Sequence, residues 1–178
     1  YICRVIENVD LDIKTPLWMS EKLRCSGIQN LNIIVDIANF VMLELGQPLH
    51  IFDNDKLKNT IEVRFPKGKE KLKLLDETDI AISAETLLIA DESGVLAMAG
   101  LMGGFDSAVS NQTKNILIES AFFKPEIIIG EARQYGIHTE SSHRFERGVD
   151  PELQQMAIER ASELILMLCG GNAGPIIE

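Results

Sequence analysis

Glu119 interrupts the apolar run Asn115-Ile-Leu-Ile-Glu-Ser-Ala-Phe-Phe123, where a carboxylate is costly unless it is hydrogen-bonded or paired. Strand alternation puts Ile116, Ile118 and Ser120 on one face and Leu117, Glu119 and Ala121 on the other. Glu119 therefore shares an apolar face, which favours a buried carboxylate with a functional or a structural task over an outward-facing position on an edge strand. His50 lies in Gln47-Pro-Leu-His-Ile-Phe-Asp53. Its ordinary pKa of about 6.5 would suit a general base at neutral pH, although isolated histidines are more often structural. His138 and His143 stand five apart with no further ligand nearby, a poor spacing for one helix face, so no metal site is expected. Ser141 and Ser142 precede His143, but sequence neighbours rarely reach nucleophile–base geometry. Gly100-Leu-Met-Gly103-Gly104 matches no phosphate-loop spacing. It forms either a tight turn, the commoner outcome, or a cradle of backbone N–H groups for an anion. Thr139 to Asp150 carries Arg144, Glu146, Arg147 and Asp150 close together, more organisation than a loose solvated loop needs.

Composition narrows the classes. The 178 residues hold 17 Lys+Arg against 27 Asp+Glu, a formal charge of −10, with 46% hydrophobic and 25% charged residues. The length allows one ordinary domain or at most two small ones, of which a single domain over residues 1–178 is expected, and the apolar content argues against a disordered chain. A surface that grips nucleic acid by neutralising many phosphates is basic, and this chain is acidic. Cys3, Cys25 and Cys169 are far apart and form no CxxC pair, which argues against a disulfide framework and for a reducing, cytoplasmic setting. No apolar run reaches ~18 residues, so no membrane helix is expected. The start at Tyr1, without an initiator Met or a signal-peptide pattern, reads as a piece of a longer protein.

These residues need elements to hold them. Residues 1–9 form a first strand. Thr15-Pro16 opens a helix to about Ser26, Thr as cap and Pro at the first position, with Leu17, Trp18 and Leu23 on its apolar face. Ile33 to Leu45 is apolar nearly throughout and predicts a helix buried on most sides, in which Asp36 and Asn39 need partners. From Thr60 to Phe123 short β runs dominate: 61–65, 72–75, 86–90, 95–99 and 115–122, with a hairpin turn at Asp91-Glu-Ser-Gly94. Lys124-Pro125 begins a helix to about Tyr135, and Asp150-Pro151 caps a long helix to about Leu168, closed by Gly170-Gly171. Helices flanking a block of strands without βαβ alternation predict α+β: central antiparallel or mixed sheets packed with flanking helices.

Five blocks occur in order: Val35-Asp-Ile-Ala-Asn-Phe-Val-Met-Leu-Glu-Leu45, Gly46-Gln-Pro-Leu-His-Ile-Phe-Asp53, Ala99-Gly-Leu-Met-Gly-Gly104, Glu119-Ser-Ala-Phe-Phe123 and Thr139-Glu-Ser-Ser-His-Arg-Phe-Glu-Arg-Gly-Val-Asp-Pro151. Together they closely resemble the B3/B4 domain of the β subunit of bacterial phenylalanyl-tRNA synthetase, over essentially the whole chain. The resemblance implies a B3/B4-like layered sandwich within a longer β subunit. It also implies a post-transfer editing site that hydrolyses the ester of tyrosine misattached to tRNA(Phe). The partners implied are the tRNA(Phe) 3′ end and the synthetase α subunit in an α2β2 heterotetramer, with no membrane. No cofactor or metal is implied in this domain; ATP and Mg serve the full synthetase.

Residue by residue, the resemblance assigns the editing pocket to His50, Glu119, Thr139 and Ser141. His50 positions or deprotonates water, or steadies the terminal adenosine, and Glu119 accepts the phenolic O–H of tyrosine. Thr139 and Ser141 contact the substrate amine or carbonyl. Apart from the resemblance, backbone amides of the Gly100–Gly104 turn, at Gly100 and Gly103, are expected to polarise the ester carbonyl. An apolar pocket rejects an added hydroxyl only about 10²-fold, whereas a site that hydrogen-bonds it discriminates by about 10⁴–10⁵. The chain departs from the pattern at Gln29, where many members carry Arg, and at Ser141, where some carry Ala. Gln29 motivates a second expectation, a structural or RNA-contacting module with reduced editing. A free-standing relative that edits in trans is a third. The local basic stretch Lys67, Lys69, Lys71 and Lys73 is expected to be a solvated face along a hairpin.

Overall fold

All strand pairs in the protein are antiparallel, and helices pack against sheets without βαβ alternation, as the α+β reading requires. The computed structural model describes residues 1–178. The first half runs β1 (Ile2–Glu7), α1 (Leu17–Cys25), α2 (Ile33–Leu45), β2 (Leu49–Asp53), β3 (Glu62–Arg64), β4 (Lys71–Lys73), β5 (Asp79–Ala81) and β6 (Leu88–Asp91). Then follow β7 (Gly94–Met98), β8 (Met102–Gly103), β9 (Ile116–Ser120), α3 (Pro125–Ile128), α4 (Glu131–Gln134), α5 (Glu140–Arg147), α6 (Gln154–Cys169) and β10 (Asn172–Ile177). The chain divides into two compact units: Tyr1–Asp55 with Val109–Ala121 and Asp150–Glu178, and Lys56–Ala108 with Phe122–Val149.

In the first unit the sheet order is β10-β1-β9-β2. Helices α2 and α6 pack on the face that carries Ile6, Ile51, Ile116 and Ile118, which join Ile33, Ile34, Ile37, Val41, Ile158 and Ile165 in one core. Helix α2 is buried on most sides, as its composition predicts. Asn32 caps it by accepting the Val35 N–H, and Gly46 ends it at φ 76°, a conformation that favours glycine. Asp36 is buried, and its carboxylate accepts the Thr15 hydroxyl and, at 3.0 Å, the Leu31 N–H.

That pairing corrects the α1 expectation. Thr15 does not cap the helix; Pro16 precedes it without a side-chain cap, and the Thr15 hydroxyl serves Asp36 instead. Leu17 and Trp18 are exposed, at 76% and 43%, and the buried positions are Met19 and Leu23. Helix α6 likewise starts later than Asp150-Pro151: its cap residue is Leu153, and the Asp150 carboxylate accepts the Glu152 N–H in a preceding turn.

The second unit contains a sheet of order β3-β6-β7-β8 and a β4-β5 hairpin. The Asp91–Gly94 turn joins β6 to β7 as the sequence predicts. The expected helix from Pro125 to Tyr135 is two short ones, α3 and α4, because Gly130 adopts φ 85° between them. Of the lysines expected along one hairpin, only Lys71 and Lys73 lie on β4; Lys67 precedes it and pairs with Glu62 at 2.9 Å. Strands β2, β5, β8 and β10 were not legible in the pattern. Strand β10 contains Gly174 and Pro175, tolerated because it is an edge strand with a register irregularity against β1 at that point.

Candidate functional site

Strand pairing puts His50 directly opposite Glu119 on one side and Cys3 directly opposite Glu119 on the other. All three therefore project from one face of the β1-β9-β2 ladder, the face opposite the one packed on α2 and α6. Glu119 is buried at 4% exposure. His50 is half-buried and packs edge-on against Phe52, ring centroids 4.4 Å apart at 78°. Tyr1, two residues before Cys3, belongs to the same neighbourhood, since the charge of Glu119 acts on its phenol.

The polar atoms of this cluster are orphaned. Glu119 Oε2, His50 Nε2 and Tyr1 Oη are buried and have no hydrogen-bond partner within the protein. Native structures leave few such atoms, and each calls for an explanation such as a bound ligand or water. Burial disfavours the charged forms. It pushes the Glu119 carboxyl up to about 8 and the His50 imidazole down to about 4. Burial, reinforced by Glu119, also raises the Tyr1 phenol and the Cys3 thiol. At pH 7 Glu119 is mostly a neutral carboxylic acid that can both donate and accept, and His50 is a neutral imidazole. The latter corrects the expectation of an ordinary histidine pKa. A base this weak orients water better than it deprotonates it.

The chain entering β2 is fastened by a buried amide network. Gln47 is fully buried; its Nε2 donates to the Ala121 carbonyl at 2.8 Å and to the Pro48 carbonyl at 3.0 Å. Its Oε1 accepts from Gln154 Nε2 at 3.0 Å, which also donates to the Asp150 carbonyl at 2.9 Å.

In the second unit, Thr139 caps α5. Its hydroxyl accepts the Ser142 N–H at 2.9 Å and donates to the Leu101 carbonyl at 3.0 Å. A reciprocal bond from the Thr139 N–H to Ser142 Oγ, 3.2 Å, completes a capping box. Ser141 Oγ donates to the Gly100 carbonyl at 3.2 Å. The two hydroxyls thus hold the turn before β8 against the start of α5. Gly100 sits at φ +70°, and a Cβ there would approach Phe145 Cδ2 to 3.0 Å and Phe123 Cδ2 to 3.3 Å. Those two rings pack with centroids 5.1 Å apart. The Gly100–Gly104 segment is the tight turn the sequence favours. Two of its amides are already engaged: Leu101 N–H with Met98 at 3.1 Å and Gly104 N–H with Leu96 at 2.8 Å. Gly103 is buried in β8, opposite Ala97.

Of the residues singled out in the sequence, His50 and Glu119 meet in the first unit, and Gly100, Thr139 and Ser141 meet in the second. Gln29 is exposed in the loop after α1. Sequence reasoning missed Tyr1, Cys3, Gln47 and Gln154. Strand alternation from Glu119 would have located Cys3 only with knowledge of which strands pair. No group of three or more His, Cys, Asp or Glu side chains is arranged to hold a metal ion, and no helix is long and apolar enough to cross a membrane.

Comparison with known proteins gives a consistent result. The family model described as the B3/4 domain matches residues 1–170. The chain is 56% identical, over all 178 of its residues, to the phenylalanine–tRNA ligase β subunit of Idiomarina loihiensis, and 54% identical to that of Nitrosococcus oceani. It spans 22% of the length of each. Among solved structures, an N-terminal fragment of the phenylalanyl-tRNA synthetase β subunit from Pyrococcus horikoshii shares the fold. Its TM-score is 0.58 at 16% identity, over 97% of this chain and 46% of that one. The chain belongs to the B3/4 domain family.

Proposed function

We propose that this B3/4 domain is a post-transfer editing site, part of a longer β subunit, which hydrolyses the ester joining tyrosine to the 3′ end of tRNA(Phe). The observation that carries the reading is the buried, unpartnered Glu119 Oε2 facing His50 across one strand pair. A carboxyl held up to about 8 is mostly protonated at neutral pH. It offers an acceptor to the phenolic O–H of tyrosine and a donor to the phenolic oxygen. Phenylalanine lacks that group and leaves the buried carboxyl unsatisfied, which costs about 1–3 kcal/mol.

His50 orients the attacking water by hydrogen bonding. The water oxygen adds to the ester carbonyl carbon, the bond to the ribose oxygen breaks, and that oxygen leaves with one proton of the water, while the remaining O–H stays on the released carboxyl group of tyrosine. Thr139 and Ser141 keep their turn rigid through the Leu101 and Gly100 carbonyls. This is a shaping role in place of the direct substrate contacts that the resemblance assigns. The relatives' name, that of a β subunit, supports an α-subunit partner in the whole ligase. The net charge of −10 leaves the phosphate-gripping surface to other parts of that assembly.

Deacylation assays on tyrosyl- and phenylalanyl-tRNA(Phe), with wild type and Glu119→Ala in the intact ligase, test the reading. Wild type should release tyrosine roughly 10- to 10²-fold faster than phenylalanine, and Glu119→Ala should lose that preference. Equal rates for both substrates in wild type would sink the assigned role. No hydrolysis at all would favour a structural module, for which the Gln29 departure is the motive.

A further inference from the structure

The β2–β9 ladder ends at Leu49 opposite Ser120, and the next position on β2 is Pro48, which has no N–H to offer. The Ala121 carbonyl is nevertheless satisfied, by the side chain of Gln47 at 2.8 Å. That amide has both its donors engaged, on Ala121 and Pro48, and its oxygen engaged by Gln154. It stands three residues before His50 and bonds a carbonyl two residues after Glu119. The side chains of His50 and Glu119 make no hydrogen bond to each other, Nε2 and Oε2 both being unpartnered, so their relative placement depends on the backbone of the two strands. A one-residue slip of β2 would also turn His50 to the opposite face.

We infer that Gln47 is a positioning residue: its side-chain amide replaces the bond Pro48 cannot make, and so fixes where His50 stands opposite Glu119. The inference rests on the editing reading for its effect on rate, but its structural consequence is measurable without tRNA. Glu119 faces His50 from β9, Phe52 flanks it on β2, Cys3 lies beyond Glu119 on β1, and Tyr1 immediately precedes that strand.

The test is NMR titration of the His50 imidazole and the Glu119 carboxyl in the full chain, wild type against Gln47→Ala, paired with deacylation kinetics on tyrosyl-tRNA(Phe). Loosening the start of β2 should admit water and move both midpoints by about one unit toward their ordinary values, His50 upward and Glu119 downward. The kcat should fall at least ~tenfold with KM little changed. Titrations that overlay those of wild type would overturn the proposal, even if the melting temperature drops. If Gln47→Ala does not fold, Gln154→Leu decides. It removes the donor to Gln47 Oε1 and keeps the Ala121 bond, and it should shift both midpoints in the same directions by less. Unchanged midpoints in that folded variant also overturn it. A wild type that does not hydrolyse tyrosyl-tRNA refutes the editing reading alone, because the titrations still decide the role of Gln47.

Discussion

His50 and Glu119 are direct cross-strand partners on β2 and β9, and each keeps a buried polar atom without a partner. Their desolvation acts in opposite directions. It holds the acid protonated and the base unprotonated across the neutral range, so the pair is uncharged when a substrate would arrive.

The Glu119 carboxyl makes folding stability depend on pH. Its folded pKa, about 8, lies above the ordinary 4.5. The unfolded chain therefore releases this proton first as pH rises, and stability declines from about pH 4.5 to 8. Glu119→Gln abolishes that decline. Relative to wild type, the variant should gain stability between those limits, by at most about 5 kcal/mol for a shift of this size. Urea unfolding at several pH values checks it, and parallel curves for the two proteins would refute it.

His50→Ala separates catalysis from architecture. The ring is half-buried and packs on Phe52, so its loss should cost no more than about 2 kcal/mol and leave a cooperative melt. Deacylation of tyrosyl-tRNA should fall roughly 10²-fold. A variant that loses cooperative melting would show that His50 is chiefly structural.

Gly100→Ala should destabilise the protein by about 1–3 kcal/mol, through left-handed strain and the clash with Phe145 and Phe123. Gly136→Ala is the control, since Gly136 has φ +67° but nothing within 4 Å of the added Cβ. It should cost only the strain, about 1 kcal/mol. Chemical denaturation of both variants measures the difference, and equal losses would show that the two rings yield.

Local features were legible where a single element carries the signal. Glu119 announces its burial because alternation assigns it to an apolar face whatever β9 pairs with. Helix α2 does so because almost every side chain in it is apolar. Thr15 misleads because its hydroxyl answers to Asp36, twenty-one positions later, a partner that no local window contains. Leu17 and Trp18 mislead for a related reason: a helix shows which positions are apolar, not which stripe meets the core. Strand β2 escaped notice because Leu49–Asp53 is short and follows Pro48 directly.

The residue types of the site, the net negative charge of the chain and the family are thus written in the chain itself. They depend on composition and on ordered motifs that need no coordinates. Strand pairing alone made Cys3 and His50 the two neighbours of Glu119, since register is a relation among segments more than forty residues apart. Folding also set the protonation states. The ordinary values near 4.5 and 6.5 belong to groups in water, and burial without partners moved them to about 8 and about 4.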